Sequence, residues 1–264
     1  MTTLSPGRRK LESLLLLVVV LGVWEGGIRF FRVSPVIFPA PSAIVLRLYQ
    51  LIASGLIWPH VAATLSSILM GFVLGALSGI VAGALVSLVP VIERLVYPYV
   101  VALQTVPKIA IAPLFILWFG YGLLSKVVIA ALLCFFPVLV SVMAGFHSTD
   151  RDQLEMMKSF GASRWQTLIR LRVPAALVMI FAGLEIAAVL AVIGAVVGEF
   201  VGAQRGLGYL ITALNFNLDV AGVFAVLTIL SFIGIVLHAL VRLAGRLCIF
   251  WVRSNETPII TEAS

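Results

Sequence analysis

Residues 61–89 read VAATLSSILMGFVLGALSGIVAGALVSLV, a stretch with no charged side chain. A helix that crosses a bilayer needs about 20 consecutive apolar residues, and this stretch is long enough. Four glycines recur in it at four-residue intervals and so share one stripe of the helix: Gly71, Gly75, Gly79 and Gly83. In lipid, small residues at this spacing let two helix backbones approach closely. The stripe predicts a close helix neighbour, either in the same chain or in a second copy.

The rest of the chain is also strongly apolar, since 62% of its 264 residues are hydrophobic and 11% are charged. Soluble domains average about 45–50% apolar and about 25% charged residues, so a large soluble domain is excluded. The sequence predicts an all-α integral membrane protein with six transmembrane helices, near residues 12–31, 61–89, 96–119, 126–146, 174–197 and 221–242. No small-x-small cleavage site follows the first stretch, which we interpret as a retained span.

Basic residues are divided unequally between the two sides of this predicted topology. The side that holds both termini carries Arg8, Arg9, Lys10, Arg94, Arg151, Lys158, Arg164, Arg170, Arg172, Arg242, Arg246 and Arg253; the other side carries Arg29, Arg32, Arg47, Lys126 and Arg205. Cytoplasmic segments are enriched in Lys and Arg, so we expect both termini to be cytoplasmic. Because these cations are spread over several loops, the net charge of +7 does not indicate nucleic-acid binding.

Span three is interrupted by Pro107 and Pro113, which flank Lys108. A proline inside a spanning helix frees backbone carbonyls, which is tolerated mainly beside protein or a water-filled cavity. Ionisable residues at membrane depth are candidate functional residues. We therefore assign four polar residues to a translocation pathway: Gln104, Lys108, Glu185 and Glu199.

Each charged member of this set also has another interpretation. The Lys108 ammonium could extend to the membrane interface, and Glu185 could be a structural hydrogen-bond partner. Glu199 lies among glycines near the external end of span five, where it could shape an external gate or a contact with a partner protein.

The longest cytoplasmic segment, HSTDRDQLEMMKSFGASRWQTLIRLRVP, covers residues 147–174. Thr149 has the position of an N-cap for a short helix, and Gly161 can end that helix in the left-handed conformation. Ser163 opens a second capping box, from which another helix runs to Pro174 at the start of span five. The sequence predicts a helix-turn-helix whose small apolar faces need a membrane surface or a partner protein.

This segment resembles a motif of the permease subunits of binding-protein-dependent ABC importers, written Glu-Ala-Ala, three residues, Gly, nine residues, Ile-x-Leu-Pro. The chain has Glu155-Met156-Met157, then Gly161, then Leu171-Arg172-Val173-Pro174 at the same spacing. The departures from the motif are all exchanges between apolar residues. Further segments are similar to the nitrate, sulfonate and taurine branch of type I importers, which includes permeases for pyrimidine-type vitamin precursors: 112–120, 159–165 and 206–210. The resemblance covers about residues 35–250.

The resemblance implies a permease subunit in a bacterial inner membrane, with a domain organisation to match. Residues 1–34 would form the N-terminal tail and first span, and residues 35–60 an external loop. The residues themselves predict a helix in this loop with Ser42 as N-cap, which lies along the membrane interface or packs as a surface helix. Residues 61–245 would form the permease domain, and residues 246–264 a cytoplasmic tail.

The resemblance also implies that the segment 147–174 docks on a cytoplasmic ATPase, so we call it the coupling loop. The implied coupling residues are Glu155, Met156, Met157, Phe160, Gly161, Ala162, Leu171, Val173 and Pro174. The implied partners are two ATPase subunits that bind ATP and Mg, an extracytoplasmic solute-binding protein, and a second permease copy in a homodimer. The chain itself would need no cofactor.

The sequence argues against an enzyme. A P-loop requires Gly-Lys, but the four lysines follow Arg, Pro, Ser and Met, so the chain cannot hydrolyse ATP alone. Its histidines and cysteines have no metal-ligand spacing. A self-sufficient secondary carrier or channel is the other candidate, and only the broken span three favours it. The substrate stays open between an anion near Lys108 and a neutral heterocycle near the aromatic residues of span three.

Overall fold

The computed structural model describes residues 6–251, and this described part contains helices and no strand. Residues 1–5 and 252–264, which belong to the two predicted tails, lie outside the described residues. The helices are α1 (Pro6–Phe30), α2 (Pro41–Ala53), α3 (Trp58–Leu88), α4 (Pro90–Thr105), α5 (Ala112–Phe119), α6 (Leu123–His147), α7 (Arg151–Ser159), α8 (Arg164–Thr167), α9 (Val173–Gly202), α10 (Leu207–Phe216) and α11 (Val220–Cys248).

Within the described residues, four helices are long and apolar enough to cross a membrane: α3, α6, the continuous helix Arg164–Gly202, and α11. A fifth span results if α4 and the helical segment Lys108–Phe119, which meet at a bend of 77°, count as one. The predicted first span is helical as α1 but is not among these five. The structure therefore supports an all-helical membrane protein with four or five candidate spans, and the full six-span prediction is not confirmed.

The glycine stripe of α3 packs against α6 of the same chain. A Cβ atom on Gly79 would lie 2.8 Å from the carbonyl oxygen of Phe135, and one on Gly83 would lie 2.8 Å from that of Leu139. The backbones of the two helices are therefore in direct contact, as small residues allow in lipid. This contact decides the question left open by the sequence in favour of a neighbour within the chain.

The contacts also give the direction of each helix. Along α3, Gly71 faces Ala130 and Gly83 faces Val142, so α3 and α6 run parallel. The segment between two parallel helices must return across the bundle, which makes α4 and α5 a broken span.

The last two long helices each reverse direction. Gly145 of α6 faces Ala176 of α9, and Gly198 faces Lys126, so α9 is antiparallel to α6. Likewise, Gly245 of α11 faces Phe181. The bundle thus has a loop end, which carries residues 147–163, and a Glu199 end, which carries the start of α3, α6 and α11.

Helix α2 is fixed to the Glu199 end. It begins at Pro41, with Ala40 as N-cap, so the prediction that Ser42 is the cap was wrong. Proline suits the first helical position because its missing N–H needs no partner there. The Ser42 hydroxyl instead donates to Glu25 of α1 at 2.8 Å. Arg47 forms a 2.7 Å ion pair with Asp219, the N-cap of α11.

We expect Gly79→Ala to destabilise the bundle by about 1–3 kcal/mol, because the new methyl group would collide with the backbone of α6. The matched control is Gly22→Ala on α1, where an added Cβ meets no atom within 4 Å. Thermal unfolding of the detergent-solubilised variants measures the difference. Equal unfolding temperatures for the two variants would show that the α3–α6 contact is looser than described.

Candidate functional site

The first half of the coupling loop is helix α7. Asp150 caps it, and its carboxylate accepts a hydrogen bond of 3.2 Å from the N–H of Asp152. The prediction that Thr149 is the cap was therefore wrong by one residue, and the Thr149 hydroxyl is buried without a hydrogen-bond partner among the described residues. Aspartate is a better N-cap than threonine and adds a charge that favours the helix N-terminus.

Gly161 ends α7 as predicted, with a φ of +70°. Its N–H donates to the carbonyl of Lys158 at 2.9 Å, and the N–H of Ala162 donates to that of Met157 at 3.0 Å. These two bonds form a Schellman motif, which requires the left-handed conformation at the glycine. The turn therefore fixes where α7 points relative to the next helix.

The surface of α7 and the following turn is uncovered. The side chains of Met156 and Phe160 are 51% and 78% exposed, and Trp165 beyond the turn is 67% exposed. Glu155 is exposed beside them, whereas Met157 and Ala162 are half-buried against the chain. Large apolar side chains beside a free carboxylate are typical of a protein contact surface.

The second half of the coupling loop is continuous with α9. Ser163 and Gln166 form the predicted capping box, with both reciprocal hydrogen bonds present. The helix then passes through a π-helical segment, Leu168–Arg172, into α9 without a break. Pro174 lies in the first turn of α9, which agrees with the predicted start of span five. One continuous helix of 39 residues thereby joins the coupling loop to the Glu199 end of the bundle.

The broken span brings two predicted pathway residues together. After α4 ends at Thr105, a 3₁₀ turn from Lys108 to Ile111 precedes α5. The Lys108 ammonium donates to the carbonyl oxygen of Gln104 at 2.9 Å and lies 4.8 Å from the centroid of the Phe136 ring. The lysine thus pairs with the carbonyl group freed by the interruption. Gln104 itself is exposed.

Glu185 lies elsewhere, on α9. It is half-buried, and its carboxylate lies 3.8 Å from Nε2 of His238 on α11. This contact is longer than a hydrogen bond, so both interpretations of Glu185 stay predictions, and Glu185 lies on a different helix from Gln104 and Lys108.

Glu199 is almost fully buried, with 1% of its surface exposed. Its carboxylate accepts a hydrogen bond from the Thr64 hydroxyl at 2.9 Å and another from the N–H of Gly208 at 2.8 Å. The Lys126 ammonium lies 3.9 Å away. A buried charge is tolerated when it is paired and hydrogen-bonded, and this carboxylate is both.

The same side chains hold the N-terminus of α10. The N–H of Leu207 donates to the Thr64 hydroxyl at 2.7 Å, and the N–H of Gly206 donates to Nδ1 of His60 at 3.2 Å. These groups have no partner inside the helix, because the first amides of any helix are free. The negative charge of Glu199 also favours this position next to the positive end of the helix dipole. We call Glu199, Thr64, Lys126 and His60 the Glu199 network.

The sequence interpretation missed most of this network. Lys126 lies at the start of α6, which agrees with a predicted span that begins at residue 126, but its burial, with only 7% of it exposed, was not predicted. Helix α10 was not predicted as a separate element. Lys126 and Glu199 stand at the ends of two apolar stretches, and their opposite charges could have indicated an ion pair, because a buried charge needs a partner.

The chain is similar to known transport proteins. It is 41% identical to the formylaminopyrimidine transport permease protein ThiX of Halalkalibacterium halodurans, over 91% of this chain and 96% of that protein. It is 30% identical to the taurine transport system permease protein TauC of Escherichia coli K12, over 89% of this chain and 87% of that protein. A chain in a solved structure of the MetNI methionine ABC transporter, in inward-facing conformations, shares the fold. Its TM-score is 0.56 at 22% identity, over 75% of this chain and 94% of that one.

Residues 71–247 match a family described as the binding-protein-dependent transport system inner membrane component. The matched segment runs from the glycine stripe of α3 to the end of α11 and includes the whole coupling loop. The family and the relatives confirm the resemblance that the loop motif indicated. This chain belongs to the inner membrane components of binding-protein-dependent transport systems, the permease subunits of ABC importers.

Proposed function

We propose that this permease forms a path for a small solute and is driven through the coupling loop. As an ABC permease it works with a separate ATPase subunit, which binds the nucleotide, and with a solute-binding protein. The observation that carries the proposal is an exposed apolar surface on α7, joined by a fixed turn to the continuous helix Arg164–Gly202. Such a helix transmits a displacement at one end to the other.

The coupling residues fall into three groups, of which the first is the proposed docking surface. Glu155, Met156, Met157 and Phe160 would contact the ATPase. Gly161 and Ala162 would set the turn. Leu171, Val173 and Pro174 would carry the movement into α9.

We propose that the loop end is cytoplasmic and that both termini lie on that side of the bacterial inner membrane. The distribution of Lys and Arg supports this orientation. In this topology α1 is the sixth span. The Trp24 ring lies 6.1 Å from the Phe224 ring at the start of α11, so the second half of α1 reaches the Glu199 end.

The broken span supports a homodimer. Its residues Tyr99, Leu117 and Trp118 are 71%, 77% and 65% exposed, although the interrupted backbone beside them is unsuited to lipid. A second copy of the chain would cover this face. The solute path would then run between the two copies, along Gln104 and Lys108.

The test is purification of the tagged chain from its native membranes in mild detergent. We expect an ATPase subunit to be retained and Glu155→Lys to release it, because the substitution inverts a charge on the docking surface. Arg246→Glu, which inverts an exposed charge at the loop end of α11, should retain it. The mass of the retained complex should correspond to two permease and two ATPase copies. If Glu155→Lys retains the ATPase as well as the wild type does, the docking surface is elsewhere.

The relatives include permeases named for taurine, which is a sulfonate, and for a formylaminopyrimidine, and we propose a substrate of one of these classes. We expect Lys108→Ala to lower solute uptake by about tenfold or more, because a cation beside a low-dielectric path interacts strongly with polar groups. Lys108→Arg keeps the charge and should retain most of the activity. Uptake of both labelled solutes into vesicles that contain the complete transporter is the measurement. Unchanged uptake by Lys108→Ala would favour a lysine that only reaches the membrane interface.

A further inference from the structure

A cleft of about 710 Å³ opens at the loop end, between the coupling loop and the last residue of α3. Three cations line it: Lys158, Arg164 and Arg172. The remaining lining residues are apolar or neutral: Leu88, Leu154, Ala162, Trp165, Thr167 and Leu168. We call this site the basic cleft.

The basic cleft lacks a counter-charge. None of its lining residues is acidic, and within residues 6–251 none of its three cations forms an ion pair or a side-chain hydrogen bond. Like charges gathered in one cleft repel one another, and the repulsion is relieved when an anion enters. The cleft is therefore suited to a ligand with a negative charge.

The position of the cleft indicates where that ligand comes from. Leu88 is the last residue of α3, and Arg172 directly precedes the apolar helix α9. The cleft thus opens at the level where the apolar spans give way to polar chain, which is the level of lipid headgroups. Trp165, whose side chain is 67% exposed, lies at the same level. Tryptophan is enriched at this depth of a membrane.

We propose that the basic cleft binds an anionic phospholipid, with the headgroup phosphate among the three cations and an acyl chain along the leucines. Basic pockets between helices on the cytoplasmic side of membranes suit such headgroups. The leucines distinguish a lipid from a free anion, since a free phosphate gains nothing from apolar walls. The site is next to the proposed docking surface on α7, so a bound lipid would also fix the orientation of the coupling loop.

The test uses the purified permease–ATPase complex in discs of phosphatidylcholine, to which phosphatidylglycerol is added. Bound lipid is counted by native mass spectrometry. We expect one phosphatidylglycerol per permease chain. Arg172→Gln and Lys158→Gln should each lower its affinity by about fivefold, the effect of one cation near an anionic headgroup. Arg170→Gln is the matched control, because Arg170 is exposed in the same π-helical segment but does not line the cleft.

Three outcomes would overturn the proposal. Phosphatidylglycerol affinity that is equal in Arg172→Gln, Lys158→Gln and Arg170→Gln would remove the cleft as the binding site. Displacement of the lipid by millimolar inorganic phosphate would make it a site for free anions. Loss of the ATPase from Arg172→Gln in discs of phosphatidylcholine alone, with lipid binding unchanged, would assign the cations to the ATPase interface.

Discussion

Gly161→Pro is expected to abolish ATP-driven uptake while the membrane bundle stays folded. Proline fixes φ near −65°, whereas Gly161 has a φ of +70°. Proline also lacks the N–H that donates to Lys158. Because both requirements of the Schellman turn fail, α7 would no longer have a defined direction relative to α9. Uptake should fall by more than tenfold, and ATPase retention should fall with it.

The effect should be confined to the loop. The continuous helix begins after the turn, at the capping box of Ser163, and no atom lies within 4 Å of a Cβ added to Gly161. Gly161→Asn is therefore the matched variant, since asparagine adopts the left-handed conformation more readily than other residues. It should retain most of the uptake. Normal uptake by Gly161→Pro, with the ATPase still bound, would refute the role of this turn in coupling.

Glu199→Ala is expected to destabilise the protein by about 3–5 kcal/mol, the usual effect of removing one partner of a buried ion pair. The substitution leaves the Lys126 ammonium without its counter-charge and the N–H of Gly208 without an acceptor. The N-terminus of α10 would then lose its bond to α9, while its bonds to Thr64 and His60 of α3 remain. Thermal unfolding and limited proteolysis of the turn at residues 203–206 measure the two consequences.

A double-mutant cycle separates the ion pair from the hydrogen bonds. Glu199→Gln keeps the shape of the side chain, and Lys126→Met keeps most of the apolar stem. If the charges interact, the double variant should be more stable than the sum of the single effects predicts. A Glu199→Ala variant that unfolds at the wild-type temperature would contradict the network as described. In the proposed function Glu199 is thus a positioning residue for α10, and the solute path depends on Gln104 and Lys108.

Local patterns predicted local structure well. The capping box at Ser163 and the left-handed turn at Gly161 depend on bonds between residues three to five positions apart. Their residue types therefore specify them in any context. The N-cap of α7 shows the limit of local patterns. The structure has Asp150 there and not Thr149, and either of these adjacent residues could cap the helix.

The sequence by itself determined that the chain is a helical membrane protein, because its few charges suit it to lipid and its uncharged apolar stretches of about 20 residues or more satisfy their own backbone polar groups there as helices. The spacing of the coupling loop determined the family. Only the tertiary structure decided which helix meets the glycine stripe, because a stripe specifies close approach and not a partner. It also decided which partners the Glu199 carboxylate has. Thr64, 135 positions away, and Lys126 reach this carboxylate only when α3, α6 and α9 pack together, and such a long-range contact leaves no local pattern in the sequence.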